Sequence, residues 1–585
     1  MLTDCDSRPR SKIDLMSISN DTVADAIPEW LCLAVLSMLV AVPFLFPFVA
    51  GPSANVWQLL ASWSCVALLL IATPIALPGR CVLLWLGLSA VAIGLSAGAQ
   101  WTPRLAAMAA MAVIAAAAAV GAGGARSAAA TRRALAWGLL GAGLVSAVLG
   151  LLQYYQLAAP LAPWTTEPEL GQAYGNLRQR NQFATLINMA LIAGLWLYAA
   201  SDPPSRRVRW ALAWAAMLLM LAAAASTSRT GLLQWLMVIG VASWMAWRER
   251  RRARRALPAS SPALRLPHPL WLLALIPGHL AASWWLPRWA GGNVEGLFQR
   301  LRDGAPESQG RRLLWHNVIE LTAQHPWRGW GWGELSFAHY SHWYAGPRFI
   351  EILDNAHNLP LHLAVELGVP AALLIVGGLA WMVLGARPWR ERDPTRLMAW
   401  GLLAVIGLHS LLEYPLWYGP FQMAFGLCLG LLWPAPVRQP ANGHAPNGGI
   451  TRAPAALLSL ALMAVVAFAA WEYTRLSQIY LSRDERLPAY RDNTLAKLQG
   501  SWLHADSVGF AGLTLTPVTQ ANAAQIHAMA RRALHFSPEP RVIIKLIESA
   551  QLLGLNDEAL EQIVLFERAF PVDYATWRAG TPVVP

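Results

Sequence analysis

Runs of apolar residues recur along this chain, each of about 20 residues, the length that crosses the hydrocarbon of a bilayer. In order they fall near 29–50, 55–78, 81–98, 104–124, 134–158, 181–199, 208–226, 229–247, 269–287, 357–385, 396–414, 416–435 and 453–471. That gives about thirteen transmembrane helices. Composition agrees: 56% of the 585 residues are hydrophobic and 13% are charged, whereas soluble domains carry about 25% charged residues. The expected fold is all-α, polytopic and membrane-embedded.

The net charge of +12 would suit a nucleic-acid binder if the arginines formed one patch. They fall between apolar runs instead, so no nucleic-acid partner is expected. Arg126, Arg132 and Arg133 occupy one gap, and Arg206, Arg207 and Arg209 another. Arg248, Arg250, Arg251, Arg252, Arg254 and Arg255 follow, then Arg387, Arg390, Arg392 and Arg396. Basic alternate loops mark the cytoplasmic side. With Arg8, Arg10 and Lys12 on that side too, segment 1–28 is cytoplasmic and 29–471 is the membrane domain. The long loop 288–356 and the tail 472–585 are then external. No cleaved signal is expected, because a polar N-terminus is not followed by a short apolar run with a cleavage site. Arginine-rich inner loops around Ala-, Leu- and Trp-rich spans point to a bacterial inner membrane, with the external side periplasmic. Residues 437–452 read as a cytoplasmic linker rich in Pro, Asn and Gly.

The 5 cysteines are Cys5, Cys32, Cys65, Cys81 and Cys428. None lies in an external segment, so no disulfide framework is expected. No zinc-type or nucleotide-binding spacing occurs, and no cofactor or metal is expected. Residues 31–166 contain no Asp or Glu. That weighs against a proton- or cation-coupled transporter, which keeps ionisable groups inside its spans.

Polar residues crowd at the external ends of the spans. Tyr174, Asn176, Arg178, Gln179, Arg180 and Asn181 open one span. Arginine and tyrosine there would serve as interfacial anchors; the amides of Gln179 and Asn181 gain little from that role. Arg229, in Ser228-Arg229-Thr230-Gly231, stands at an external turn with no acidic residue nearby. It needs water, lipid phosphate or a bound anion. In the long loop, Arg311 and Arg312 open a helical pattern that starts near Ser308 and Gln309. It ends at His325-Pro326. Trp327, Trp330 and Trp332 alternate with Gly329, Gly331 and Gly333, as in a tight loop resting on the membrane interface. His357, in Asp354-Asn355-Ala356-His357-Asn358, lies where this loop meets the next apolar run. It fits either the first turn of a capped helix or a proton-exchanging group at the membrane surface. Glu413 and Tyr414 stand at a later external turn. In the tail, 522–536 and 541–570 read as amphipathic helices resembling one or two tetratricopeptide-like units. Arginines with one histidine at the lipid boundary, and no carboxylate cluster fit for a metal, suit an anionic lipid head group. A diphosphate matches the guanidinium forks.

These residues resemble a family, the bacterial O-antigen ligases and the related protein O-oligosaccharyltransferases. His357, Asn358 and Gly368 follow its histidine pattern, with Ala371 departing at the last position. Gly310, Arg311 and Trp315, with Pro326, Gly329 and Gly331, resemble its loop pattern. Ser228-Arg229 resembles its second arginine. Gly175-Asn176-Leu177 with Gln179 and Asn181, Glu413-Tyr414-Pro415, and the tail look most like the protein-glycosylating, pilin-modifying branch. The resemblance implies a metal-independent glycosyltransferase that moves a glycan from undecaprenyl diphosphate to serine or threonine hydroxyls of exported proteins such as pilin. His357, Arg311 and Arg229 would be catalytic. Gln179, Asn181, Glu413, Tyr414, Asn358 and Arg312 would bind substrate. A ligase acting on lipid A-core, an O-antigen polymerase and a flippase are the alternatives.

Overall fold

The computed structural model describes residues 28–49, 51–53, 55–126, 128–201, 203–254, 264–291, 294–304, 310–436 and 452–580. Segment 1–27 with Cys5, Arg8, Arg10 and Lys12 lies outside them, as do Arg255, Ser308, Gln309 and linker residues 437–451. Among the described residues the chain is helical, with one isolated bridge between Pro78 and Pro434.

The membrane part begins with α1 (Glu29–Leu45), α2 (Val56–Ala72), α3 (Arg80–Gly94), α4 (Thr102–Arg126) and α5 (Ala129–Tyr154). It continues with α6 (Arg180–Ala200), α7 (Arg206–Ala225), α8 (Arg229–Arg254) and α9 (Pro269–Trp289). The long loop carries α10 (Leu297–Asp303), α11 (Arg311–Gln324) and α12 (Leu335–Ser341). Then come α13 (Leu359–Leu367), α14 (Val369–Ala372), α15 (Gly378–Ala386), α16 (Pro394–Ser410), α17 (Gly419–Leu432) and α18 (Arg452–Ser477). Eight of the described helices are long and apolar enough to cross a membrane: α4 to α9, the Val369–Arg390 segment and the helix that begins at Arg452. α1, α2, α3 and α17 are shorter apolar helices. Each expected span contains a helix.

Small residues set the centre of the bundle. α4 lays Ala118 and Gly121 against α17, and a Cβ at Gly121 would sit 2.1 Å from the Leu427 carbonyl oxygen. A Cβ at Gly430 would sit 1.9 Å from the Ala118 oxygen. Backbones approach this closely where lipid supplies no hydrophobic drive and packing must do the work. Arginines fold over tryptophans one turn away at helix ends, as with Arg288 on Trp284 at 3.5 Å and Arg475 on Trp471 at 4.6 Å. Such pairs suit a membrane interface.

The expected single span 357–385 is broken in the structure. Gly368 adopts φ +86°, and the Val369 amide leaves the helix ladder to donate to the Pro326 carbonyl at 2.8 Å. Pro370 has no amide to donate. α13 therefore forms a separate short helix at the end of the bundle where α6 and α8 begin. The Gly/Trp loop is also more buried than the sequence implied. Trp330 donates its amide to Val365 at 2.8 Å, Gly331 to Glu366 at 2.9 Å and Trp332 to Ala97 at 3.1 Å. A Cβ at Gly329 would lie 2.3 Å from the Glu366 carbonyl carbon, and one at Gly331 would lie 2.1 Å from the Ala97 oxygen. These glycines let two backbones meet; Trp332 is buried and only Trp327 projects outward.

The tail comprises α19 (Thr494–Leu498), α20 (Ala505–Leu515), α21 (Ala523–Phe536), α22 (Pro540–Leu552), α23 (Asn556–Ala569) and α24 (Pro571–Arg578). The expected segment 541–570 is two helices turned at Gly554, whose φ is +72°. Ile526, Val542, Leu546 and Phe566 form its core, together with Tyr340 from α12. His535 pairs with Glu334 at 2.7 Å and stacks on Phe337 at 3.8 Å. The tail is thus packed onto the loop that carries α11 and α12.

Candidate functional site

α16 ends at Ser410, so Glu413 and Tyr414 lie in the turn 411–418 rather than inside a helix. The Glu413 carboxylate is buried and collects donors from three other parts of the chain. Gln179 Nε2 and Asn181 Nδ2 bond to it from α6, Arg311 Nη2 reaches it at 2.8 Å from α11, and His409 Nε2 lies 3.3 Å away. Burial pushes this carboxyl up. The hydrogen bond and charge of His409, the hydrogen bond from Gln179 and the charge of Arg311 outweigh it and hold the pKa down to about 2. A carboxylate so fully occupied is a poor proton acceptor; its geometry suits fixing Arg311 and the two amides in place.

Gln179, Asn181 and Arg311 owe their positions to helix starts, while His409 comes from the last turn of α16. Gln179 is the N-cap of α6 and accepts the Gln182 amide at 2.9 Å. Ser228 accepts the Gly231 amide at 2.8 Å in the first turn of α8 and donates to Asn181 Oδ1. Arg311 is the first residue of α11, and Asn358 is the N-cap of α13. Four helix N-termini therefore face one region. Each contributes free amides and the positive end of its dipole, an environment that favours anions.

His357 sits in the loop before α13 with φ +49°. Such a backbone is uncommon outside glycine and is strained. Asn355 Oδ1 accepts the His357 amide at 2.9 Å, and Trp315 Nε1 donates to the Ala356 carbonyl at 3.1 Å. Arg311 and Trp315 are one turn apart on α11, so one helix fixes both Glu413 and the histidine loop. Tyr414 meets the imidazole edge-on at 5.1 Å between ring centres. Imidazole Nδ1 is buried without a partner among the described residues, which leaves Nε2 as the nitrogen open to the site. Burial, reinforced by Arg311 and opposed by Glu413, lowers the His357 pKa. The ring is then neutral at neutral pH and able to accept a proton.

Below Glu413 runs a buried polar chain that sequence reading missed. His409 Nδ1 lies 3.0 Å from Thr185 Oγ1. Gln234 Nε2 donates to Thr185 Oγ1 at 3.0 Å and to the Val405 carbonyl at 2.9 Å. A Thr185 hydroxyl that donates to Nδ1 leaves Nε2–H to donate to Glu413. The signal available was the helical spacing of His409 and Glu413, which puts both on one face. Gln153 was missed as well. It bonds Thr165, Thr166 and Gly175 and holds the external loop that leads to Gln179.

The remaining expected residues are placed differently. Asn358 spends its amide within the fold, capping α13 through Leu361 and donating to the Leu411 carbonyl at 3.0 Å. Arg229 and Arg312 are exposed, with no side-chain hydrogen bond or ion pair among the described residues. Arg229 opens α8 beside Ser228, close to the cluster in sequence. The structure does not bring Arg312 into it.

A cavity of about 990 Å³ opens beside this cluster. Leu359, Pro360, Leu411 and Trp417, chain neighbours of the polar residues, line one end; Trp389 and Arg392 line the other. Its walls are almost entirely apolar, and none of the polar site residues lines it.

Residues 214–376, which hold Arg229, Arg311 and His357, match a family model described as O-antigen ligase. The chain fits the O-antigen ligase superfamily. Residues 173–198, with Gln179 and Asn181, match a model described as protein glycosylation ligase. Residues 397–583, with Glu413 and the tail, match a model described as virulence factor membrane-bound polymerase, C-terminal. A general O-oligosaccharyltransferase of Acinetobacter baylyi is 24% identical over 309 residues, covering 50% of this chain and 49% of that protein. The chain thus matches about half the length of this relative. The Glu413 cluster joins one residue set from each matched segment.

Proposed function

We propose that this protein transfers a preassembled glycan from undecaprenyl diphosphate to serine or threonine hydroxyls of exported proteins such as pilin. The observation that carries the reading is the convergence of Arg311, Gln179 and Asn181 on Glu413, one residue from the Tyr414 ring that touches His357. Arg311 and Arg229 bind the donor's diphosphate, and the surrounding helix N-termini add to the field. The acceptor hydroxyl attacks the anomeric carbon of the first sugar. A bond forms from the acceptor oxygen to that carbon, and the bond from the carbon to the diphosphate oxygen breaks. His357 Nε2 takes the hydroxyl proton or orients the hydroxyl. The lipid diphosphate leaves with its charge balanced by guanidinium groups rather than a metal. Gln179, Asn181 and Tyr414 position the reacting groups, and the apolar cavity suits the donor's hydrocarbon chain. Basic loops at the opposite end of the bundle support an inner-membrane protein with this site on the periplasmic side.

The match of 173–198 to a protein glycosylation ligase model and the relative's name support a protein acceptor. The polymerase match of 397–583 favours a second reading, in which the acceptor is another lipid-linked glycan. Purified enzyme offered lipid-linked glycan with pilin, lipid A-core or a second lipid-linked glycan separates these. Glycan on lipid A-core and never on protein would make the enzyme a ligase of the lipopolysaccharide type.

A further inference from the structure

A second cationic group lies beside the Glu413 cluster and plays no part in the mechanism above. Arg180, the first residue of α6, points Nη1 at Thr227 Oγ1 at 3.4 Å. Arg300, on α10, points its own Nη1 at the same oxygen at 3.3 Å. Two guanidinium groups from distant parts of the chain thus share one neutral hydroxyl. Thr227 is buried and holds φ +49°, so its side chain is fixed in an unfavourable backbone state. Among the described residues the nearby carboxylate is Glu295, 3.7 Å from Arg300 Nε and half exposed. Among the described residues, one exposed carboxylate against two guanidinium groups leaves positive charge at the edge of the bundle. Exposed Arg229, two residues after Thr227, adds to it.

Like charges brought together next to lipid are costly unless an anion joins them. A hydroxyl satisfies hydrogen bonds but carries no charge, so bracing the 226–228 turn does not require two arginines. The chain also fixes where such an anion would lie. Arg180 precedes Asn181, and Thr227 precedes Ser228; Asn181 and Ser228 are bonded to each other, and Asn181 to Glu413. The pair therefore borders the diphosphate region.

We propose that Arg180 and Arg300 form a second phosphate-binding pair, which takes a phosphate of a lipid-borne diphosphate together with Arg229 and Arg311. This rests on the donor assigned above. Two pairs would divide the charge of a diphosphate between them, with each guanidinium offering a fork to phosphate oxygens.

The test uses the full chain in phosphatidylcholine nanodiscs and measures binding of undecaprenyl diphosphate by native mass spectrometry. Arg180→Gln and Arg300→Gln should each weaken binding about tenfold, the scale of one charge-assisted hydrogen bond. Arg300→Lys, which keeps the charge and endangers folding least, should fall between wild type and Arg300→Gln. Undecaprenyl monophosphate should show a smaller loss than the diphosphate. Diphosphate binding by wild type that is matched in affinity by all three variants overturns the pair. Loss confined to added phosphatidylglycerol also overturns it, by assigning the arginines to bulk lipid. Wild type that binds no polyprenyl diphosphate at all would overturn the donor itself, an outcome distinct from both.

Discussion

Arg311 and Glu413 stand 102 positions apart in the chain and meet at 2.8 Å. The pair ties the long loop to the turn between α16 and α17. The Glu413 side chain is buried while the Arg311 side chain is 40% exposed, so the arginine is anchored at a buried partner and still open to a ligand. Arg311→Gln and Glu413→Gln should each lower transfer at least about tenfold. The double variant should lose much less than the product of the two, because each single change already breaks the same pair. Additive losses in kcat/KM would show that the two residues act separately.

His357→Ala should lower turnover by about 10²–10⁴ with membrane insertion intact. His357→Gly separates chemistry from backbone shape, since glycine adopts φ +49° without strain. Equal loss in both variants fits proton transfer or hydroxyl orientation. Near-normal turnover of His357→Gly would reduce the residue to a turn-former.

The pH profile has a defined sign. Burial and Arg311 place the His357 pKa below its ordinary 6.5, and the neutral ring is the active form. kcat/KM should therefore be flat near neutrality and fall only as pH drops through a value below 6.5. Glu413→Gln removes a charge that raises this pKa, so the acid limb should move lower still. An acid limb above 6.5 in the wild type contradicts the assignment.

Arg311→Lys and Arg229→Lys should both impair transfer, because lysine keeps the charge and loses the bidentate fork. Chelator treatment should leave the rate unchanged. Activity lost on chelation and restored by added Mg²⁺ or Mn²⁺ would replace the arginines as the neutralising group.

Deleting the residues after Tyr473 would uncover Tyr340 and Phe337, which pack on the tail. Hydrogen exchange in the loop 325–356 should rise, and transfer to every acceptor should fall together. Loss limited to protein acceptors, with donor binding kept, would instead make the tail a docking surface for the acceptor.

The helices and most of the cluster were legible in the sequence, because hydropathy, basic loops and polar residues at span ends are local signals. Gln179, Arg311, His357 and Glu413 stood out as polar groups at apolar boundaries. Their pairing was not legible: Gln179 meets Glu413 across 234 positions, and no local pattern encodes which donor a buried carboxylate collects. The packed Gly/Trp loop, the break at Gly368, the Thr185–His409 chain and the meeting of Arg180 with Arg300 escaped for the same reason. Each depends on backbones or side chains from separate helices arriving within hydrogen-bond distance. Sequence alone determined which segments seek the membrane and which polar groups stand at its surface. Tertiary packing decided which of those groups touch, because hydrogen bonds and charge compensation act over a few ångströms of space and take no account of distance along the chain.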